Sequence, residues 1–166
     1  MSAKELNFDS GLVTYSLNGK CEVAFNPTDS NFVERLYVAF EDLDKKQSEY
    51  KSQIEKQQDK REIFEFAKKW DAEMRTIIDS VFEKPVCDIL FGGMNVYSIA
   101  NGFPVWCNLM LTIMDEIDSS FIREQSASAD CSAVVPNKAE TIWETIEITR
   151  VRTLAKVVKA GIRTFP

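Results

Sequence analysis

The sequence predicts a mainly α protein with a small N-terminal β-hairpin (α+β), its long helices forming a helical hairpin or bundle. Three observations carry that prediction. An Asn-Gly pair, Asn18-Gly19, sits between two short β-prone runs. No Gly or Pro interrupts the chain between Ser30 and Lys84. Apolar residues then recur at three- and four-residue steps over most of residues 30–124, the period of a helix with one buried face.

The hairpin comes first. Leu12–Leu17 and Cys21–Phe25 flank Asn18-Gly19, which supplies the two positive-φ positions of a type I′ turn. Val13, Tyr15 and Leu17 alternate with polar residues, and Cys21, Val23 and Phe25 alternate with Glu22 and Ala24. Each strand therefore has one apolar face. Two strands alone are marginal, so that face must rest on helices or on another subunit's strands. Asn26-Pro27-Thr28-Asp29-Ser30 ends the hairpin and offers several N-cap side chains.

A long helical stretch is expected from there to about Glu83. Val33, Leu36, Phe40, Leu43, Gln47, Tyr50 and Ile54 make a heptad-like seam in which Gln47 is the one polar member. Between Glu41 and Glu62 the stripe narrows to Leu43, Tyr50 and Ile54 among charged and amide side chains. That suits a helical arm or the tip of a helix hairpin better than a central core helix. The stripe widens again through Ile63, Phe66, Ala67, Trp70, Met74, Ile77, Ile78, Val81 and Phe82, which is core spacing. Pro85 opens a short apolar helix ending at Gly92-Gly93, which lacks the context of a phosphate loop. After a turn at Asn101-Gly102, residues 103–124 read as a helix with a wide stripe of Trp106, Leu109, Met110, Ile113, Met114, Ile117 and Phe121. Asp115, Glu116 and Asp118 crowd one turn of its other side, and are read as a solvated face rather than a metal or acid/base site.

Composition divides the chain further. Residues 138–166 hold six Lys/Arg against three Glu, whereas residues 1–137 hold fourteen basic and twenty-three acidic residues. The expected organisation is a hairpin-plus-helical domain over 1–124, a small-residue linker over 125–137, and a basic C-terminal extension over 138–166. Within that extension Trp143–Thr153 alternates partly like a strand and Leu154–Lys159 suits a helix; it is read as a helix. An acidic body repels phosphate backbones, which argues against nucleic-acid binding.

The 166 residues contain no histidine. Imidazole acid/base chemistry, Ser-His or Cys-His nucleophile pairs and His-ligated zinc are therefore excluded within this chain. Cys21, Cys87, Cys107 and Cys131 form no C-x-x-C pair and read as small buried hydrophobes in a reducing compartment. No apolar run is long enough to span a bilayer, and the first residues carry no apolar signal-peptide core, so a soluble cytoplasmic protein without a membrane partner is expected. No catalytic residue, metal site or cofactor is assigned.

Over residues 10–124 the chain resembles the small tail assembly chaperones of long-tailed bacteriophages of Gram-positive hosts. The matching features are the hairpin with its Asn18-Gly19-Lys20 turn, the acidic helix after it, Ile77-Ile78-Asp79-Ser80-Val81-Phe82, then Asp88-Ile89-Leu90-Phe91-Gly92-Gly93, and the closing helix. These look like the family's "ID-x-x-F" and "D-x-[IL]-F-G". The Gly-rich break usual between them is Glu83-Lys84-Pro85 here. The resemblance implies a non-enzymatic protein of the bacterial host's cytoplasm that binds the tape measure protein, recruits the major tail protein during tail morphogenesis, self-associates, and is absent from the mature virion. Many members exist in a short form and a longer frameshifted form, and the composition break near residue 125 is compatible with the longer one. Leu36, Phe40, Leu43, Tyr50, Ile54, Phe91, Trp106 and Trp143 are the candidate partner-binding residues, as apolar side chains able to hold helices of a client. The alternative reading is a phage-encoded inhibitor of a host defence system, an anti-CRISPR-like protein imitating phosphate charge to bind a nuclease effector. The mixed Lys/Glu composition of residues 41–62 lacks the dense carboxylate strip that this requires.

Overall fold

A computed structural model gives the fold and describes residues 3–128. Strands β1 (Val13–Leu17) and β2 (Cys21–Phe25) pair antiparallel with Leu17 opposite Cys21, Tyr15 opposite Val23 and Val13 opposite Phe25. Asn18 and Gly19 take φ of 52° and 66°, and the Lys20 amide donates to Leu17 O at 3.0 Å, which closes the turn. The register leaves Lys20 as a third loop residue. The apolar face rests on helices: Cys21, Val23 and Phe25 are buried in the common core. Phe25 stacks between Tyr15 and Phe32, with centroids at 4.6 and 4.1 Å, and so stitches the hairpin to the first helix.

Helices α1 (Ser30–Ile54) and α2 (Lys60–Phe82) fold back on each other as a helical hairpin. The expected stretch to Glu83 is thus two helices, broken at residues 55–59 without Gly or Pro. The break has two causes, one local and one tertiary. Asp59 adopts an extended conformation and its carboxylate accepts the Arg61 amide at 2.8 Å, starting a new helix. Ahead of it the apolar stripe is too thin to hold a continued arm, whereas reversal lets Leu36, Phe40 and Leu43 share the buried core with Met74, Ile78 and Val81. Asp29 caps α1 in the same manner, accepting the Asn31 amide at 3.1 Å.

Glu83 ends α2 in the left-handed conformation (φ 53°, ψ 31°). Helix α3 (Cys87–Phe91) then stops at Gly92, whose φ 54° and ψ −127° only glycine adopts freely. A second, minimal hairpin joins β3 (Ile99–Ala100) to β4 (Phe103–Pro104) across the Asn101-Gly102 turn. Helix α4 (Val105–Ser128) follows, placing Trp106, Met110, Ile113, Met114 and Ile117 in the core. The helix predicted from residue 103 begins two residues later, because Phe103 and Pro104 pair with β3. At its other end α4 continues four residues into the predicted linker. The remainder of that linker, Cys131 and the basic extension lie outside the described residues.

Candidate functional site

The residues proposed to grip partners divide sharply. Leu36, Phe40, Leu43 and Trp106 are at most 1% exposed. They are core residues, and the seam expected to hold a client is sealed by the chain's own α2 and α4. Gln47, the seam's single polar member, has a structural purpose: its Oε1 accepts the Trp106 indole N–H at 2.7 Å. A buried indole leaves one donor to satisfy, and a glutamine one turn beyond Leu43 does so. Phe40 meets the same indole edge-on, with centroids 5.4 Å apart.

Tyr50, Ile54 and Phe91 are half-buried. Tyr50 lies in an aromatic cluster at the distal end of the α1–α2 hairpin, 4.6 Å from the Tyr97 ring centroid and stacked on Phe66 at 6.3 Å. Trp70 joins this cluster, and Lys46 reaches over its ring while pairing with Glu73 at 2.7 Å. The Lys46 ammonium donates to Glu73 and holds that carboxyl below its ordinary range. Trp143 lies outside the described residues.

The "ID-x-x-F" and "D-x-[IL]-F-G" residues build the connection between α2 and α4. Asp79 Oδ1 accepts the Val86 and Cys87 amides, both at 2.9 Å, so the last turns of α2 cap the start of α3. Arg75 is the hub of the same region. Its guanidinium donates to Asp71 at 2.7 Å, Asp88 at 3.0 Å, Gly92 O at 2.9 Å and Met94 O at 2.7 Å. The second oxygen of Asp71 accepts the Val96 amide at 2.7 Å. Burial works against the Arg75 charge, but Asp71 outweighs it and raises the pKa.

The surface available to a partner lies elsewhere. On the outer side of the helical hairpin, α1 and α2 enclose a groove of about 500 Å³. Val38, Ala39 and Ile77 supply its apolar lining, and Glu34, Arg35 and Asp42 its charges. Val38 is 52% exposed. Arg35, itself part of the lining, also pairs with Glu83 at 3.3 Å, and Glu34 and Asp42 against Arg35 leave the groove with a net negative charge. Phe64 near the hairpin tip, and Leu6 and Phe8 ahead of β1, are exposed as well. Sequence reasoning missed all of these. Val38 and Phe64 fall between the positions of their buried stripes, and that displacement was the available signal.

Among the described residues no group of three or more His, Cys, Asp or Glu is placed to hold a metal ion. In the acidic turn of α4, Glu116 is tied down by its neighbours, accepting from Tyr15 at 3.2 Å, Ser120 at 3.1 Å and Arg123 at 2.7 Å. Cys21, Cys87 and Cys107 are buried free thiols, and burial, with Asp44 assisting, pushes the Cys107 thiol up to about 12. Among the described residues no helix is long and apolar enough to cross a membrane. Compared with family models, curated proteins and solved structures, the chain matches none.

Proposed function

We propose that this protein is a non-enzymatic tail assembly chaperone, which keeps a phage tape measure protein dispersed and recruits major tail protein subunits to it. The observation that carries the reading is the acidic-rimmed apolar groove between α1 and α2. An amphipathic helix laid along Val38 and Ile77 would bury its apolar side there, with Lys or Arg on its flanks meeting Glu34 and Asp42. The groove is shallow, so each engagement is weak, and many along one long client add up while remaining reversible. The residues behind the family resemblance lend support. Asp79 and Gly92 have demanding backbone roles, and Glu83 occupies a left-handed position that glycine fills without strain. An acidic body, fourteen basic against twenty-two acidic residues over 3–128, resists self-precipitation. On this reading the protein works in the cytoplasm of the infected bacterium and leaves before the virion is complete.

The test is co-expression of the full chain with the tape measure protein. The parent chain is expected to raise the soluble fraction of the client several-fold. Val38→Asp should abolish that gain while leaving the melting temperature within a few degrees, since Val38 is exposed. A client whose solubility is the same with and without the parent chain refutes the reading.

A further inference from the structure

Among the described residues no strand or hydrogen bond covers the outer edge of β1. Within the sheet β1 pairs with β2 alone. The outer edge of β2 is occupied, because Glu22 O accepts the Lys84 ammonium at 2.7 Å. That contact also fixes the phase of the ladder. Glu22 O faces away from β1, so Glu22 and its cross-strand partner Ser16 form a non-hydrogen-bonded pair, as do Ala24 and Thr14. The backbone N–H and C=O of Thr14 and Ser16 therefore point off the open edge of β1. Natural edge strands are usually guarded by a charge, a proline or a bulge. Residues 12–17, Leu-Val-Thr-Tyr-Ser-Leu, carry none of these.

Burial points the same way. On the face that meets the helices, all three residues of β2 are buried, whereas Tyr15 and Leu17 of β1 are half-buried and Val13 is 42% exposed. The core stops short of the open edge.

We propose that the occupant of this edge is β1 of a second copy of the chain, paired antiparallel about a two-fold axis at Tyr15. The strand is self-complementary in that register. Val13 faces the partner's Leu17 on the apolar side, Thr14 faces the partner's Ser16 on the other, and Tyr15 faces its own mate. Each Thr14–Ser16 pair joins groups already pointing outward, so a continuous four-stranded sheet forms with no charge opposed to like charge. The helices stay as they are. The interface deepens the self-association that the family resemblance implies, but it is separate from the groove between α1 and α2, so a monomeric parent and a client left insoluble are distinguishable failures.

Sedimentation velocity on the full chain over a wide concentration range tests it. The parent is expected to dimerise. Thr14→Lys with Ser16→Lys places like charges opposite each other twice across the axis, and should weaken dimerisation about tenfold or more. Thr14→Glu with Ser16→Lys turns both pairs attractive and should restore parental association. Both variants change exposed side chains, and the ammonium introduced by Ser16→Lys would lie opposite Glu22 in its own hairpin, so unchanged circular dichroism is expected for each. Thr14→Pro removes an edge donor that no bond inside the sheet uses and should also yield monomer. A parent that stays monomeric at the highest concentration overturns the proposal, as do equal association of the two charge variants or a Thr14→Pro protein that dimerises like the parent.

Discussion

Replacing Arg75 by Met isolates the contribution of one side chain to the join between α2, α3 and α4. The guanidinium is 14% exposed and Asp71 18%, so this pair is largely withdrawn from water, whereas Asp88 at 85% exposed adds little. Methionine fills a similar volume but leaves the Asp71 carboxylate and the Gly92 and Met94 carbonyls without their donor. The two carbonyls lie near the surface, where water can replace part of the loss. A partly buried charge left alone, together with lost charge-assisted hydrogen bonds, is worth about 3 kcal/mol. For a folded unit of this size that is roughly 10 °C in melting temperature. Arg75→Lys restores the charge but cannot form the fork, and should recover about half. Urea unfolding followed by circular dichroism gives the free energies. Amide exchange at Val96, whose N–H is held by the second Asp71 oxygen, reports whether the damage is local. A loss below about 1 kcal/mol for Arg75→Met, or unchanged exchange at Val96, refutes the hub.

Two other outcomes follow from contacts in the core and the hairpin. Gln47→Ala should cost about 1–3 kcal/mol in urea unfolding, because it strands the buried Trp106 indole N–H, and should shift Trp fluorescence. Burial pushes the Glu116 carboxyl up, yet hydrogen bonds from Arg123, Ser120 and Tyr15 prevail and hold it below its ordinary range. A carboxyl depressed in the folded state stabilises fully above its unfolded pKa, and this contribution disappears as pH falls through the lower folded value. Glu116→Gln should therefore reduce stability near neutral pH and flatten the loss on acidification. Parallel stability–pH curves for parent and variant would contradict this.

Much of the fold can be read directly from residue patterns. Asn18-Gly19 dictates its turn through two positive-φ positions, Gly92 stops α3 by the same physics, and the α4 stripe matches the buried set closely. The thinning stripe points to an arm or a hairpin tip between Glu41 and Glu62. Local propensity does not place the reversal at residues 55–59, since Glu55, Lys56, Gln57 and Gln58 are all good helix formers and the Asp59 cap acts together with tertiary burial. The β3–β4 hairpin has two residues a side, too few for any period to emerge. The candidate site was less legible for a deeper reason. An amphipathic seam announces that it is covered but not by what, and Leu36, Phe40 and Leu43 are covered by the same chain. Exposed apolar residues such as Val38 show in the sequence only as displaced from the buried stripe, and what surrounds them becomes visible only when the neighbours are known.

The carboxylate of Asp79 belongs to one helix and starts another. A boundary shared at a single atom leaves no place to cut the polypeptide into two self-sufficient halves. A fragment ending at Glu83 would present an idle acceptor, and one beginning at Lys84 would lack the group that nucleates its first turn. The arrangement makes α2 and α3 inseparable partners in acquiring structure, and favours an all-or-none transition over stepwise assembly of the helical elements.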